Sequence, residues 1–325
     1  MPLLRVIEPG MFTTVQDQGR PGQGAIGVPP SGAADSLSLT IGNRLLGNSD
    51  HAAAVEFTLL GPSVTLDCDA WVCLTGAACP GARVAGTEGP RPLPWCEPSR
   101  VRAGELIKIG RTSDGARGYL CLSGGIGVSP VLGSRSTLAG AHLGGHEGRR
   151  FREGDAVPMF GTGRTPRVIP GEFHAWLRAR LGRRTLRAMP SLHTDRFPAE
   201  AIERFVSAAY TVSAQSDRVG VRLEGPAIPI PDNAGLLESE PTVTGGIQIP
   251  GDALPIVLGV DRPTTGGYPL LACVIRADLG ALAMLRPRDT VRFEICTIEE
   301  ARRLDAEQRL SLDRCLPPCE EGPDA

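Results

Sequence analysis

Lysine is almost missing from this 325-residue chain: Lys108 stands alone among 34 Lys and Arg residues. That scarcity excludes a phosphate loop, which closes on Gly-Lys-Ser/Thr. It also excludes a carried biotin on this chain, since no Met-Lys-Met segment exists to be modified. Long apolar runs are lacking, and none approaches the roughly 18 residues that a membrane span requires. Charge of one sign is lacking too. A net charge of -2 offers no footprint for nucleic acid or for an anionic membrane. The nine cysteines contain no CxxC pair, and no signal sequence precedes them, so they read as free thiols of a cytoplasmic protein. Cys315 and Cys319 bracket two prolines, a thin basis for zinc, and no metal site is expected.

Glycine and proline are abundant instead. Forty-one glycines and 29 prolines run along the whole chain, and helical periods are few. Many short strands joined by tight turns follow from this, hence barrel or sandwich architecture. The length suggests two domains. Strands are predicted at residues 3–7, 12–15, 55–60, 64–67, 71–75, 106–109 and 119–122. A helix over 33–46 follows from Leu37, Ile41 and Leu45 at i+4 spacing, with Gly47 as its C-terminal cap and Asp35 in its first turn. The composition turns linker-like around 161–166. This gives domains at 1–163 and 164–310, with a flexible tail at 311–325. The second half is predicted to hold helices at 172–181, 199–207 (Ile202, Phe205 and Val206 inward), 279–285 and 298–310. Its strands are expected at 210–212, 221–223, 256–260, 270–275 and 291–296.

One shape recurs. Ala103-Gly104-Glu105, Glu153-Gly154-Asp155 and Pro287-Arg288-Asp289 each give a turn and an acid, then an alternating strand. Two related β domains would account for it.

Residues 15–35 are the densest stretch in special-backbone and charged residues. Gly22-Gln23-Gly24-Ala25-Ile26-Gly27 spells a dinucleotide fingerprint, but that motif needs a strand turning straight into a helix. Val28-Pro29-Pro30 follows instead, and each proline biases its predecessor away from helical angles. Asp17 with Arg20, Asp217-Arg218 and Asp261-Arg262 place acid beside base in three glycine-rich segments. Arginine can clamp a carboxylate or ureido group with two hydrogen bonds, and a carboxylate can bind an N–H or act as base. The same pairs also suit plain turn salt bridges. His142, His146 and Glu147 look like half a metal motif, but Leu143-Gly144-Gly145 argues against the helix it would need. Ser31, Ser123 and Ser216 lie near glycines without GxSxG context.

Taken together, Gln16-Asp17-x-Gly19-Arg20-x-Gly22, Gly27-Val28-Pro29-x-Ser31-Gly32-Ala33-x-Asp35, Glu56-Phe57-Thr58-Leu59-Leu60-Gly61-Pro62 and Gly133-Ser134-Arg135-Ser136-Thr137 resemble the biotin-dependent carboxyltransferase-like family, also called the allophanate hydrolase subunit 2 family. Gln215-Ser216-Asp217-Arg218-x-Gly220, Gly246-Ile247-Gln248-Ile249-Pro250 and Asp261-Arg262-x-Thr264-Thr265-Gly266-Gly267-Tyr268-Pro269 continue the resemblance. It implies a mainly β chain of two cyclophilin-like β-barrel domains with a few peripheral helices and a polar cleft between the barrels. The family includes the C component of bacterial 5-oxoprolinase, so the implied function is that of a subunit hydrolysing 5-oxo-L-proline to glutamate with ATP cleavage. The ATP would be bound mainly elsewhere in the complex. The implied partners are a companion subunit of related fold and a LamB-type 5-oxoprolinase subunit. Two alternatives come with the family: a carboxyltransferase acting on urea with carboxybiotin held by another protein, and a non-catalytic regulator. On this reading Asp17, Asp35 and Asp217 are the candidate catalytic carboxylates. Arg20, Ser31, Arg218, Arg262, Thr264, Thr265 and Tyr268 are the candidate substrate contacts. The arginine-rich stretch from His174 to Arg187 reads as an enlarged linker, and Val219 and Val221 stand where a larger residue is expected.

Overall fold

The computed structural model describes residues 1–161, 165–230 and 238–319. The expected boundary between residues 163 and 164 lies outside these, as do residues 320–325 of the expected tail. The chain divides into two compact units: Met1–Arg20, Ser31–Leu181 and Leu312–Ala325 in the first, Pro21–Pro30 and Gly182–Ser311 in the second. Both are mainly β.

The first unit holds strands Leu3–Glu8 (β1), Thr13–Gln16 (β2), Ala54–Thr58 (β3), Leu60–Leu66 (β4), Ala70–Gly76 (β5), Arg83–Gly86 (β6), Gly89–Pro92 (β7), Ser99–Val101 (β8), Leu106–Arg111 (β9), Arg117–Leu122 (β10) and Ala156–Pro158 (β11). They form a six-stranded sheet in the order β11-β1-β4-β9-β6-β7 and a five-stranded sheet in the order β2-β3-β10-β5-β8. Alternation decides what faces inward. In β1, Leu4 and Val6 are buried while Arg5 turns out to Asp67. Leu4, Val64 and Ile107 from one sheet meet Val55, Leu74 and Leu120 from the other in one core. Each such side chain contributes about 1.5–3 kcal/mol on leaving water. The helices here are Ser36–Leu45 (α1) and Gly171–Leu181 (α2).

The second unit holds Thr185–Pro190 (β12), Tyr210–Val212 (β13), Gly220–Glu224 (β14), Glu240–Pro241 (β15), Gly246–Gln248 (β16), Ile256–Leu258 (β17), Thr265–Gly266 (β18), Leu270–Val274 (β19) and Thr290–Ile295 (β20). Seven of them close a barrel in the order β12-β19-β16-β17-β14-β13-β20, and β15 pairs with β18 as a separate ribbon. Helices Ala199–Ser207 (α3), Leu279–Ala283 (α4) and Ile298–Cys315 (α5) complete the chain. In α3 the buried residues are Ala201 and Phe205, and Phe205 stacks on Phe293 with ring centroids 4.6 Å apart. Val206, expected inward, is 37% exposed.

The stretch read as an arginine-rich linker contains a barrel strand. β12 pairs in parallel with β20 and antiparallel with β19, and Arg187 within it is neutralised by two hydrogen bonds to buried Asp278. Two other arginines there lie on aromatic faces, Arg178 4.7 Å from the Trp95 ring centroid and Arg180 4.6 Å from that of Trp176, while Arg184 stands 3.3 Å from Asp289. Residues 311–319, expected in the tail, are helical to Cys315 and bury Leu312, Leu316 and Cys319. Arg44 of α1, 5% exposed, bonds Asp50 and also Asp313 and the Leu316 carbonyl. No helix among the described residues is long and apolar enough to cross a membrane.

The recurring turn is the same object three times. The carboxylate of Glu105 accepts the Arg102 N–H, that of Asp155 the Arg152 N–H, and that of Asp289 the Arg286 N–H, at 2.8, 2.8 and 3.0 Å.

Candidate functional site

Asp17, Arg20 and Ser31 are held by the segment around Ser134 to Thr137. The Asp17 carboxylate accepts from the Gly19 N–H (2.8 Å), the Ser134 hydroxyl (2.6 Å), the Arg135 N–H (2.6 Å) and the Ser136 hydroxyl. Arg20, 1% exposed, donates to the Ser136 and Val131 carbonyls. Ser31 sits at φ +53° and donates to the Thr137 carbonyl at 3.1 Å. Gly32 follows at φ +86°, and a Cβ there would lie 2.8 Å from the Gly19 nitrogen. Glycine is therefore required for the close approach as well as for the turn. The structure brings Asp17, Arg20 and Ser31 together on one backbone scaffold, with their polar atoms turned to it. The Gly22–Gly27 stretch holds only a short 3-10 turn at Gly24–Ile26.

Asp35 is the N-cap of α1 and not a first-turn residue. Its carboxylate accepts the Ser38 N–H at 3.2 Å and the Ser38 hydroxyl. Its own N–H donates to the Tyr119 hydroxyl, 2.8 Å away, which donates in turn to Glu56, also at 2.8 Å. All are buried. Burial pushes the Asp35 carboxyl up to about 6, against the lowering hydrogen bonds from Ser38 and with a raising contribution from the Glu56 charge. Glu56 and Tyr119 carry no sequence signal beyond a polar residue inside an apolar strand.

In the second unit the two Asp-Arg dipeptides exchange partners. Arg218, 6% exposed, donates through Nε and Nη2 to Asp261 at 2.7 and 3.0 Å. Asp217 is exposed, and its Oδ1 accepts the Val219 and Gly220 N–H groups at 2.8 and 3.2 Å. Arg262 is left over. Its Nη2 donates to the Thr242 carbonyl at 3.1 Å, while its Nε and Nη1 are buried with no acceptor among the described residues. Burial lowers its pKa, offset in part by Cys273. A guanidinium in that state is a ready partner for a carboxylate.

Thr264 and Thr265 belong to the ribbon that frames Arg262. The Thr264 carbonyl accepts the Thr242 N–H at 2.9 Å, and Thr265 pairs with Pro241. Tyr268 beyond it is 51% exposed, and Val219 (44%) and Val243 (48%) are also open to solvent. Gln248 on β16 was not singled out by the sequence, although a glutamine between Ile247 and Ile249 is its signal. It is 6% exposed, and a Cβ on Gly266 would stand 2.7 Å from its Nε2 and 3.3 Å from Thr242 Cγ2.

Two cavities lie elsewhere. One of about 580 Å³ in the first unit is lined by Gly10, Met11, Arg149, Arg150 and Arg152 among others, where Arg149 is held by Asp155 at 2.7 and 2.8 Å. One of about 450 Å³ in the second lies between Pro190 and the start of α5. Neither contains an expected site residue. His142 sits at φ +52° in a turn, and His146 stands 3.6 Å from Asp155.

The family described as carboxyltransferase domain, subdomain A and B, matches residues 26–295. The C component of 5-oxoprolinase from Escherichia coli (strain K12) is 36% identical over 307 residues, 94% of this chain and 96% of that protein. Urea amidolyase of Saccharomyces cerevisiae is 32% identical over 325 residues, which is 95% of this chain but only 17% of that protein. The crystal structure of the K. lactis urea amidolyase superimposes with a TM-score of 0.85 at 29% identity, over 98% of this chain and 20% of that one.

Proposed function

We propose that this chain, which belongs to the carboxyltransferase domain family, subdomain A and B, is a subunit of an ATP-dependent 5-oxoprolinase that holds the cyclic amide on its second unit. End-to-end similarity to a protein named as the C component of 5-oxoprolinase supports the assignment. The observation that carries the site is Arg262, a half-buried cation whose Nε and Nη1 have no acceptor among the described residues. The carboxylate of 5-oxo-L-proline matches it in charge and geometry. On this reading Thr264, Thr265 and Tyr268 supply hydrogen bonds to the rest of the ligand. Among the three candidate carboxylates, Asp217 is best suited to take a proton, because Oδ1 alone accepts the turn N–H groups. Asp17 and Asp35 are saturated by donors of their own fold.

The residues of this chain do not fit a nucleotide triphosphate. The single lysine lies 3.8 Å from Glu8, and among the described residues no glycine-rich turn of phosphate-loop type leads from a strand directly into a helix. ATP therefore belongs on another subunit, with a companion of related fold and a LamB-type subunit as the partners, in the cytoplasm. The test is to copurify the chain with these partners and follow glutamate formed from 5-oxo-L-proline and ATP. A reconstituted set without activity overturns the assignment. The likeness to urea amidolyase favours a second reading, transfer of carboxylate from a biotin carried elsewhere to urea. Carboxylation of urea by the same set, without glutamate formation, would establish that one instead.

A further inference from the structure

Gln248 is 6% exposed, and its side-chain amide makes no hydrogen bond to another described residue. Its neighbours on β16 and across the sheet explain why. Ile247 pairs with Ala272 and with Val257, and all three lie in the barrel core. Gln248 must then point to the opposite, outer face, by strand alternation. The register shift here lies in β19, where Ile247 pairs with Ala272 and Gln248 with Leu270, so that Leu271 is the extra residue. On that face the β15–β18 ribbon passes close above it: Gly266 has room for no side chain beside the Gln248 amide, and Thr242 stands next to both. The same Thr242 gives its carbonyl to Arg262. One threonine thus has an uncommitted amide on one side and an under-committed guanidinium on the other. Buried donors in the condition of Arg262 Nε and Nη1 are destabilising unless something pairs with them.

We propose that Gln248 and Arg262 read one ligand class together: a small anion whose carboxylate pairs with Arg262 and whose cis-amide or ureido edge pairs with Gln248. A primary amide presents a C=O and an N–H side by side. A ring lactam or ureido group presents N–H and C=O side by side as well, so the two close a ring of two hydrogen bonds. A lactone or a cyclic ketone has the acceptor but lacks the donor, leaving the Gln248 carbonyl oxygen unpaired. Gln248 is therefore the specificity residue, and Arg262 supplies attraction common to every carboxylate. The choice of 5-oxo-L-proline as ligand rests on the function proposed above. The recognition chemistry is shared with the ureido ring of biotin.

Calorimetric titration of the full chain, copurified with its companion subunits, separates these. The probes are 5-oxo-L-proline, the five-membered lactone carboxylate of the same shape, and biotin. The wild type is expected to bind the lactam at least about tenfold more tightly than the lactone. Gln248→Leu should bring that ratio close to one, whereas Gln248→Glu, which keeps the acceptor and loses the donor, should weaken both ligands and keep or widen the ratio. Arg262→Lys should weaken both ligands and keep their ratio. An unchanged ratio in Gln248→Leu, with thermal melting showing it folded, overturns the proposal, as does failure of all three probes to bind. Gln248-dependent binding of biotin without binding of 5-oxo-L-proline would uphold the Gln248–Arg262 site while removing the 5-oxoprolinase assignment.

Discussion

Arg218 takes its carboxylate from Asp261, 43 residues further on, and not from the adjacent Asp217. The fork is closed by the backbone as well, since the Asp261 N–H donates to the Arg218 carbonyl at 3.0 Å. Both side chains are nearly excluded from water, at 6% and 10% exposure. Removing one member of such a pair strands the other. Arg218→Ala should lower stability by about 3–5 kcal/mol, and Arg218→Lys should recover only part, because an ammonium cannot form the fork. Urea unfolding followed by circular dichroism checks this, and an unmoved midpoint for Arg218→Ala would contradict it.

Arg262 should behave in the opposite way. Its open N–H groups are a strain on the folded chain, so Arg262→Met is expected to leave the melting temperature unchanged or raise it. Turnover by the reconstituted complex should fall at the same time through a higher KM. Loss of stability and activity in parallel would mean that Arg262 is a structural residue.

Asp17 accepts four hydrogen bonds from the 17–19 turn and the 134–136 segment. Asp17→Asn turns an amide NH₂ toward donors that it cannot satisfy. A loss of about 2–4 kcal/mol is expected, with faster proteolysis near residue 135. If Asp17→Asn kept full stability and lost only activity, a direct chemical role for this carboxylate would be indicated.

Asp35 gives a pH signature. Its carboxyl is raised by burial from 3.8 to about 6, so the folded state binds a proton more tightly than the unfolded state. Its unfavourable contribution is absent below about pH 4, grows as pH rises toward 6, and is constant above. Two units correspond to roughly 3 kcal/mol. Asp35→Asn preserves the cap and should raise the melting temperature at pH 7.5, with the gain vanishing near pH 4. Glu105 and Asp155, held down at about 2 chiefly by hydrogen bonds from Arg91 and Arg149, act with the opposite sign. They add stability above about pH 4 that is lost as pH falls through 2.

These cases mark what could be read in advance. The strand at the start of the chain, α1 with Gly47 behind it, and the three acid turns all follow from local periodicity and turn chemistry, and the fold class was legible from them. β12 was not, because Thr185 to Pro190 has arginine at its centre and only Asp278, 91 residues away, makes that arginine compatible with a barrel strand. The exchange of partners between the two Asp-Arg dipeptides was hidden for the same reason: sequence shows neighbours, while burial selects partners. Gln248 was missed because its meaning lies in Gly266 and Thr242, which reach it only through the ribbon. The short β15 and β18 are two residues each, below what any periodicity can register.

The anchoring of Arg44 has a consequence for the order in which the chain is made. Arg44 sits in α1, yet Asp313 and the Leu316 carbonyl, which complete its coordination, are translated 269 and 272 residues later. Throughout synthesis of the second unit this guanidinium has Asp50 alone to offset its charge. A stop codon shortly before residue 313 would therefore injure a helix that was translated long before it.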